Sequence, residues 1–135
     1  MAVTGMQFDG VQSVLVPAYW SHVEPLITRA IDVENDHTIE EVYQSLIECG
    51  RQLWVAGDDE INAILITSQS NNVCYVELCA GEGGISCIEH LATVEAWAKD
   101  GGCHRIEVLG RKGWERALKE HGYGFKNITL KKDLA

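Results

Sequence analysis

Apolar residues recur at helical spacing in two segments of the first third of the chain. The first segment, residues 23–31, overlaps a capping box at 21–24 (Ser-His-Val-Glu), in which the serine and glutamate side chains each satisfy a free backbone amide. Pro25 then falls near the first helical turn, where its missing N–H costs least. A second capping box at 38–41 (Thr-Ile-Glu-Glu) precedes another apolar stripe, which Gly50 is expected to end. The pattern therefore predicts two short helices.

Strand-like alternation and turn residues dominate the middle of the chain. The predicted strands cover residues 11–16, 52–56, 61–67, 73–80 and 104–109. Short turn sequences join the second, third and fourth of these strands, and they predict antiparallel hairpins. A helix over residues 85–99 separates the last two strands. A strand, a helix and a strand with short connections predict a right-handed crossover to a parallel neighbour.

The chain closes with the pattern of a short helix and a final strand. The predicted buried stripe of this helix contains Trp114, Ala117, Leu118 and His121. Gly122 follows where a left-handed cap would end the helix, and residues 125–130 alternate like a strand. The whole order predicts an α+β (mixed α/β) fold with helices packed on a central sheet.

Composition narrows the class of protein. The chain has 135 residues, of which 46% are hydrophobic and 23% charged, as expected for a single domain over residues 1–135. Its formal net charge of −9 argues against nonspecific binding to nucleic acid or to anionic membranes. No apolar run is long enough to span a membrane and no signal-peptide pattern opens the chain, so we expect a cytoplasmic protein. The 5 cysteines lack C-x-x-C spacing, which favours free thiols over disulfides or a metal site.

Four short stretches resemble, in the same order, segments of the GNAT acyl-CoA N-acyltransferases. They are Gln-Leu-Trp at 52–54, Ala-Trp-Ala at 96–98, Gly-Gly-Cys at 101–103 and Gly-Arg-Lys-Gly-Trp at 110–114. The nearest counterparts are in small GNAT-like proteins encoded by tailed bacteriophages. The resemblance covers residues 11–134 and implies a GNAT-like mixed sheet with one parallel crossover and about four helices on its faces.

In GNAT enzymes, acyl-CoA lies in a wedge where the strand before the long helix diverges from the strand after it. The resemblance therefore implies an acetyl-CoA site formed by Leu78, Cys79, Ala80, Gly81, Gly83, Gly84, Ile85, Ser86 and Arg111. The backbone of the first three would pair with the pantetheine arm, and the loop that follows would hold the pyrophosphate at a helix N-terminus. Glu82 would repel a phosphate, so the loop is either a modified phosphate cradle or a structural connector. Arg111 is either a ligand of a CoA phosphate or of an acidic substrate, or a solvated side chain.

Glu77 is the candidate general base, because several GNAT enzymes carry a glutamate at this place in the diverging strand. Strict strand alternation puts Glu77 on the same face as Tyr75 and Cys79 and opposite Val76 and Leu78. A carboxylate in an otherwise apolar strand is costly unless it is used or paired. The alternative is a solvent-facing glutamate at the sheet edge.

The resemblance leaves two candidates for the residue that protonates the departing thiolate. Many GNAT enzymes have a tyrosine at the position that Leu118 occupies here. His121 and Tyr123 are the nearby candidates for this acid. Packing or surface roles are the alternative for both residues.

Two functions follow from these observations. The first is a GNAT-like N-acyltransferase that moves an acetyl group from acetyl-CoA to the primary amine of a protein or a small molecule. The second is a catalytically inactive GNAT-fold phage protein that serves as a binding or virion component, with a partner or as a homo-oligomer. A CoA-binding regulator without turnover lies between them. Acyl-CoA affinity and turnover distinguish the three.

Overall fold

Helices pack on both faces of one sheet in the computed structural model, which describes residues 7–34, 37–81, 88–109, 114–126, 130 and 132–134. The strands are β1 (Gln7–Val11), β2 (Gln52–Gly57), β3 (Ile61–Ser70), β4 (Val73–Gly81) and β5 (Arg105–Val108). The helices are α1 (Val16–Glu34), α2 (Ile39–Ile47), α3 (Leu91–Asp100) and α4 (Glu115–Lys119), with single 3-10 turns at Ser13–Leu15 and Ile88–His90. The predicted α+β class is confirmed. None of the described helices has the length and apolar character needed to cross a membrane.

The strands lie in the sheet in chain order, β1-β2-β3-β4-β5. The first four strands pair antiparallel, and β4 pairs parallel with β5. Asn71 and Asn72 both have left-handed backbones, with φ of 54° and 62°, and form the tight turn between β3 and β4. Asparagine tolerates this conformation well, which is why the pair suits a hairpin. The predicted hairpins and the parallel crossover strand are thus confirmed.

Each face of the sheet carries its own apolar core. The core under α1 and α2 includes Val23, Ile27, Leu46, Ile64, Ile66, Leu78 and Ala80. The core under α3 and α4 includes Trp54, Leu65, Cys74, Val76, Leu91, Val94 and Leu118. Because both faces of the sheet are covered, the central strands need apolar side chains on both faces. The middle of β3 is accordingly a continuous apolar run.

The first helix begins earlier than the sequence predicts. It starts at Val16, so the capping box at 21–24 and Pro25 lie inside the helix rather than at its start. Residues 11–16 are not a strand, because β1 ends at Val11. The reason is packing: Val16 is buried in the α1/α2 core, and Tyr19 and Trp20 extend the apolar stripe toward the N-terminus.

The second helix begins as predicted but ends differently. The Thr38 hydroxyl accepts a hydrogen bond from the Glu41 amide at 3.2 Å, which confirms the cap. At the other end Cys49, not Gly50, is the left-handed residue, with φ of 65°. The Gly50 amide donates to the Ser45 carbonyl at 2.8 Å, the bond that closes a Schellman motif. The position of the glycine in the sequence therefore predicted the wrong residue for the left-handed conformation.

The C-terminal part of the chain agrees with the sequence only in part. Gly122 has φ of 89° and ends α4 as predicted, with the Tyr123 amide donating to the Leu118 carbonyl at 3.1 Å. His121 is exposed, so it does not belong to the buried stripe. Phe125 and Leu130 lie outside any strand and are 72% and 89% exposed, so the predicted final strand over 125–130 is wrong at these positions. Residues 127–129 lie outside the described part of the chain.

The predicted helix over 85–99 is confirmed in its second half. A 3-10 turn at Ile88–His90 leads into α3, which continues to Asp100. Gly102, with φ of 94°, ends α3, and the Cys103 amide donates to the Ala98 carbonyl at 2.9 Å. This close turn returns the chain directly to β5 beside β4. Residues 85–87 lie outside the described part of the chain.

Candidate functional site

The strands β4 and β5 separate halfway along β4. Their last paired residues are Val76 and Val108, and the Leu109 amide makes the last bond, 3.0 Å from the Val76 carbonyl. Beyond this point β4 continues to Gly81 with pairing to β3 only, as far as the described residues show. The gap between the two diverging strands is called the β4–β5 wedge below. Beyond Val76 no described residue of β5 pairs with β4, so this is the edge at which a ligand with amide groups could pair.

A β-bulge lies at the apex of the wedge. Leu78 pairs with Ile66 and Val76 pairs with Thr67, so Glu77 has no partner residue on β3. A bulge changes the direction of the side chains around it. Leu78 accordingly packs in the α1/α2 core, whereas Cys79 packs against the α3/α4 core.

The bulge makes the predicted face of Glu77 only half right. Its carboxylate contacts Arg51, next to the end of α2, and therefore lies on the α1/α2 side, opposite Val76 as expected but with Leu78 rather than with Cys79. Strict alternation fails here because the extra residue shifts the phase of the strand. The side chain of Glu77 is only 12% exposed, so the solvent-facing alternative is also wrong.

Arg51 holds the Glu77 carboxylate. Its Nε lies 3.3 Å from both carboxylate oxygens and its Nη2 lies 3.2 Å from Oε1. Nη1 donates to the Ser45 hydroxyl at 2.9 Å, and that hydroxyl donates to the Val42 carbonyl at 2.8 Å. The guanidinium is therefore fixed on two sides, as the planar fork of arginine favours.

His37 is a third group at this carboxylate. Its Nε2 lies 3.6 Å from Glu77 Oε1, a distance of charge contact rather than of a hydrogen bond. Its Nδ1 is buried and has no hydrogen-bond partner among the residues that the structure describes. A buried nitrogen of this kind is costly and marks a place where a polar group fits.

A small apolar cavity lies beside the wedge on the α3/α4 side. Its volume is about 10 Å³, and it is lined by Leu65, Val76, Cys79, Ile88, Leu91, Val108 and Trp114. This is the volume of about one water-sized sphere. The cavity is too small for the arm of a cofactor, so among the described residues the edge of β4 beyond Val76 is the part of the wedge that could hold one.

Tyr123 lies away from the wedge. Its hydroxyl donates to Glu95 on α3 at 2.6 Å. Burial, and then the Glu95 hydrogen bond, raise the pKa of Tyr123 far above its usual value, with a smaller effect from Cys74. Cys74 pairs with Ile106 in the closed part of the β4–β5 pair. A general acid works best with a pKa near neutrality, so this phenol is poorly suited to that role.

The other predicted site residues divide into described and undescribed ones. Leu78, Cys79, Ala80 and Gly81 all lie on β4 beyond its last described pairing with β5, and therefore at the wedge. Gly83, Gly84, Ile85, Ser86 and Arg111 lie outside the described part of the chain. His121 is exposed. No group of three or more metal-ligating side chains occurs among the described residues.

Sequence reasoning missed three residues of the site. Arg51 and His37 contact Glu77, and Arg29 Nη2 of α1 donates to the Gly81 carbonyl at 3.4 Å. Arg29 brings a cation to the end of β4, where the glycine-rich loop begins. Arg51 and Glu77 are 26 positions apart, and Arg29 and Gly81 are 52 apart. No local pattern links residues at such distances, so only the fold reveals these contacts.

Several solved structures similar to this chain are acetyltransferases. An aminoglycoside acetyltransferase from an uncultured soil metagenomic sample, in complex with sisomicin, has a TM-score of 0.65 at 12% identity, over 96% of this chain and 97% of that one. A predicted acetyltransferase from Clostridium acetobutylicum, with acetyl-CoA, has a TM-score of 0.64 at 14% identity, over 96% of each chain. Glucosamine-6-phosphate N-acetyltransferase from Arabidopsis thaliana has a TM-score of 0.66 at 11% identity, over 98% of this chain and 100% of that one.

The sequence comparisons add no further relatives. No protein-family model and no curated protein matches the chain at a significant level. Nothing in the three structural comparisons connects the chain to bacteriophages. At identities of 11–14% the similarity shows the fold alone. The chain therefore has the fold of the GNAT acetyltransferases, with a β4–β5 wedge and a buried glutamate on the bulge at its apex.

Proposed function

We propose that the protein is an N-acetyltransferase that transfers the acetyl group of acetyl-CoA to a primary amine. The observation that carries this proposal is the wedge between β4 and β5 with Glu77 on the bulge at its apex. The edge of β4 beyond its last described pairing with β5 faces the wedge and suits the amide groups of a pantetheine arm. Acetyl-CoA supplies the activated acetyl thioester, and the amides next to the bulge would polarise its carbonyl.

Glu77 accepts the proton of the attacking amine in this proposal, directly or through one water. Its carboxylate is 12% exposed and is oriented by Arg51, which suits a base that works at a fixed place. The glycine-rich loop after Gly81 would hold the pyrophosphate, with Arg29 near its start. Tyr123 is not assigned the acid role, because its hydroxyl is hydrogen-bonded to Glu95. The departing thiolate takes its proton from solvent, as a group of pKa about 8.5 does readily near neutrality.

Acetyl-CoA binding is the first test. A thermal melt at an acetyl-CoA concentration of about 100 times the dissociation constant should show stabilisation of about 2.7 kcal/mol, a shift of several degrees. Parallel melts with desulfo-CoA and with adenosine diphosphate measure the contributions of the pantetheine and phosphate contacts separately. No shift at millimolar acetyl-CoA in the folded protein contradicts the proposal.

Turnover is the second test. Glu77→Gln should lower kcat by about 100-fold to 10,000-fold in an acceptor screen, with acetyl-CoA binding retained, because general-base catalysis contributes that much. Glu107→Gln is the matched control, since Glu107 is an equally buried, salt-bridged carboxylate on β5. Equal losses in the two variants would point to a general effect on the sheet and not to a base at residue 77.

One observation favours a second candidate, a GNAT-fold binding protein without turnover. Glu77 and Tyr123 are both engaged by other side chains, Arg51 and Glu95, as structural residues are. This candidate predicts a folded protein that acetylates no amine and is insensitive to Glu77→Gln. The binding and turnover measurements above separate the two candidates.

A further inference from the structure

We infer that Arg51, anchored by Ser45, is the positioning residue of the acetyl transfer and that it directs the incoming proton to Oε2 of Glu77. This inference rests on the proposed function, because it concerns how Glu77 serves as the base. It assigns roles to two residues that the sequence patterns left without any.

A glutamate on a bulge needs an external support. Its side chain has several rotatable bonds, and fixing such a chain costs roughly 1.5–2 kcal/mol. The bulge also leaves Glu77 without a paired residue on β3 that would restrict it. A base must lie within a few tenths of an ångström of its productive position, so whatever holds the carboxylate shapes the rate.

Arg51 provides this support from a rigid place. The left-handed turn at Cys49 brings the chain back on α2, so that the Arg51 amide donates to the Ser45 carbonyl at 3.1 Å. The Arg51 side chain also bonds the Ser45 hydroxyl at 2.9 Å. Backbone and side chain of Arg51 are thus both tied to Ser45, on the last turn of α2. The helix end fixes the guanidinium, and the guanidinium fixes the carboxylate.

The two oxygens of Glu77 are not equivalent. Oε1 faces Nη2 and Nε of Arg51 at 3.2 and 3.3 Å, and His37 Nε2 at 3.6 Å. Among the residues that the structure describes, Oε2 faces only Nε of Arg51, at 3.3 Å. A carboxylate oxygen has two lone-pair positions, so Oε2 keeps one of them available for a proton. Because Arg51 places both Nη2 and Nε on Oε1 but only Nε on Oε2, it selects Oε2 as the accepting atom.

Protons and bonds are conserved in the transfer. An ammonium N–H bond breaks and an O–H bond forms at Glu77 Oε2, which leaves a neutral amine. The amine attacks the thioester carbonyl, so that a C–N bond forms, the C–S bond breaks and CoA leaves as the thiolate. The amide nitrogen loses its second proton, and the thiolate gains one. Acetyl-CoA and an ammonium ion thus give an acetamide, CoA thiol and one proton, which Oε2 passes to solvent.

The test compares Arg51→Gln, Arg51→Lys and Arg51→Ala, with kcat and the acetyl-CoA KM measured separately. A positioning role predicts a fall in kcat of about 10–100-fold for Arg51→Gln, the usual size for loss of such support, at an unchanged KM for acetyl-CoA. Lysine should restore part of the rate, and added guanidinium ion at low millimolar concentration should rescue Arg51→Ala. Arg105→Gln is the matched control, because Arg105 pairs with Glu107 on the neighbouring strand.

Two further measurements keep the inference testable if an Arg51 variant folds poorly. Ser45→Ala should lower kcat whereas Ser45→Thr retains it, since only the hydroxyl anchors the guanidinium. In the free protein, the Arg51 Nε–H should exchange slowly with solvent by nuclear magnetic resonance, and Glu77→Gln should weaken that protection. This readout does not depend on activity.

The outcomes distinguish failure of the proposed function from failure of the inference about Arg51. A wild-type protein that neither binds acetyl-CoA nor acetylates any amine refutes the proposed function, and the inference falls with it. An active wild type whose folded Arg51→Gln variant keeps its full kcat refutes the inference alone. A rapidly exchanging Arg51 Nε–H in the free protein refutes it too.

Discussion

The end of α2 allows a sharp test, because sequence and structure place the strained residue at different positions. Cys49 has a left-handed backbone, with φ of 65°, whereas Gly50 lies outside the left-handed region. A left-handed conformation costs an L-residue about 1–2 kcal/mol. Glycine avoids that cost, but it loses about 0.5–1 kcal/mol more chain entropy on folding than alanine does. Cys49→Gly should therefore stabilise the protein by about 0.5–1 kcal/mol.

The neighbouring glycine serves as the matched control. A Cβ added at Gly50 meets the Ser45 carbonyl oxygen at 3.6 Å, an ordinary van der Waals distance. Gly50→Ala should therefore be neutral or stabilising by up to about 1 kcal/mol, because it lowers the entropy of the unfolded chain. Cys49→Gly also removes the contact of the Cys49 thiol with the Ser13 hydroxyl at 3.3 Å, but this contact is exposed and weak.

Urea denaturation with a constant m-value measures both changes, under reducing conditions that keep the cysteines as thiols. The expected shift of Tm for Cys49→Gly is about 3 °C upward. The opposite order, in which Gly50→Ala costs more than 1 kcal/mol and Cys49→Gly is destabilising, would show that Gly50 is the left-handed residue. The account of how Arg51 reaches Ser45 would then fail as well.

Two other hydrogen bonds give further predictions. Tyr123→Phe should cost about 1–2 kcal/mol, because it leaves Glu95 without its donor, and it should leave any acetyl transfer unchanged. Since the folded-state pKa of Tyr123 is raised, its contribution is complete below its unfolded pKa of about 10 and is lost as pH rises further. Stability curves of both proteins from pH 7 to 11 should therefore converge only at the alkaline end, and a constant difference would contradict this. Trp54→Phe should cost about 1–3 kcal/mol, since it leaves the buried Thr67 hydroxyl without its donor at 3.1 Å, and the double variant with Thr67→Val should recover most of that loss in a denaturation cycle.

Much of the fold is local and could be predicted. The strands from β2 to β5 and helix α2 were found from apolar spacing and turn residues, because each has a clear period and a polar boundary. For helix α1, the sequence predicts the helix but places its start too late in the chain. Ser21 and Glu24 look like a cap, but burial of Val16 and the residues after it extends the helix toward the N-terminus. Packing outweighs a cap that contributes about 1 kcal/mol.

The C-terminal prediction failed for a related reason. Alternation at 125–130 favours a strand, yet a strand forms only where a neighbour accepts its backbone bonds. Phe125 and Leu130 are exposed and have no such partner strand among the described residues. A local pattern indicates which secondary structure a segment can form. Whether that structure forms depends on the neighbouring elements.

The sequence by itself determined the α+β class, the order of the hairpins and crossover, and the presence of a carboxylate at the diverging strand, because these depend on local period and on position along the chain. Only the tertiary structure decided what Glu77 faces. The extra residue at the bulge leaves Glu77 opposite Val76 but puts Leu78 on the same α1/α2 side, where Arg51, held by Ser45 of α2, binds the Glu77 carboxylate. Strand phase and long-range ion pairs depend on register between segments, and register is a property of the assembled sheet.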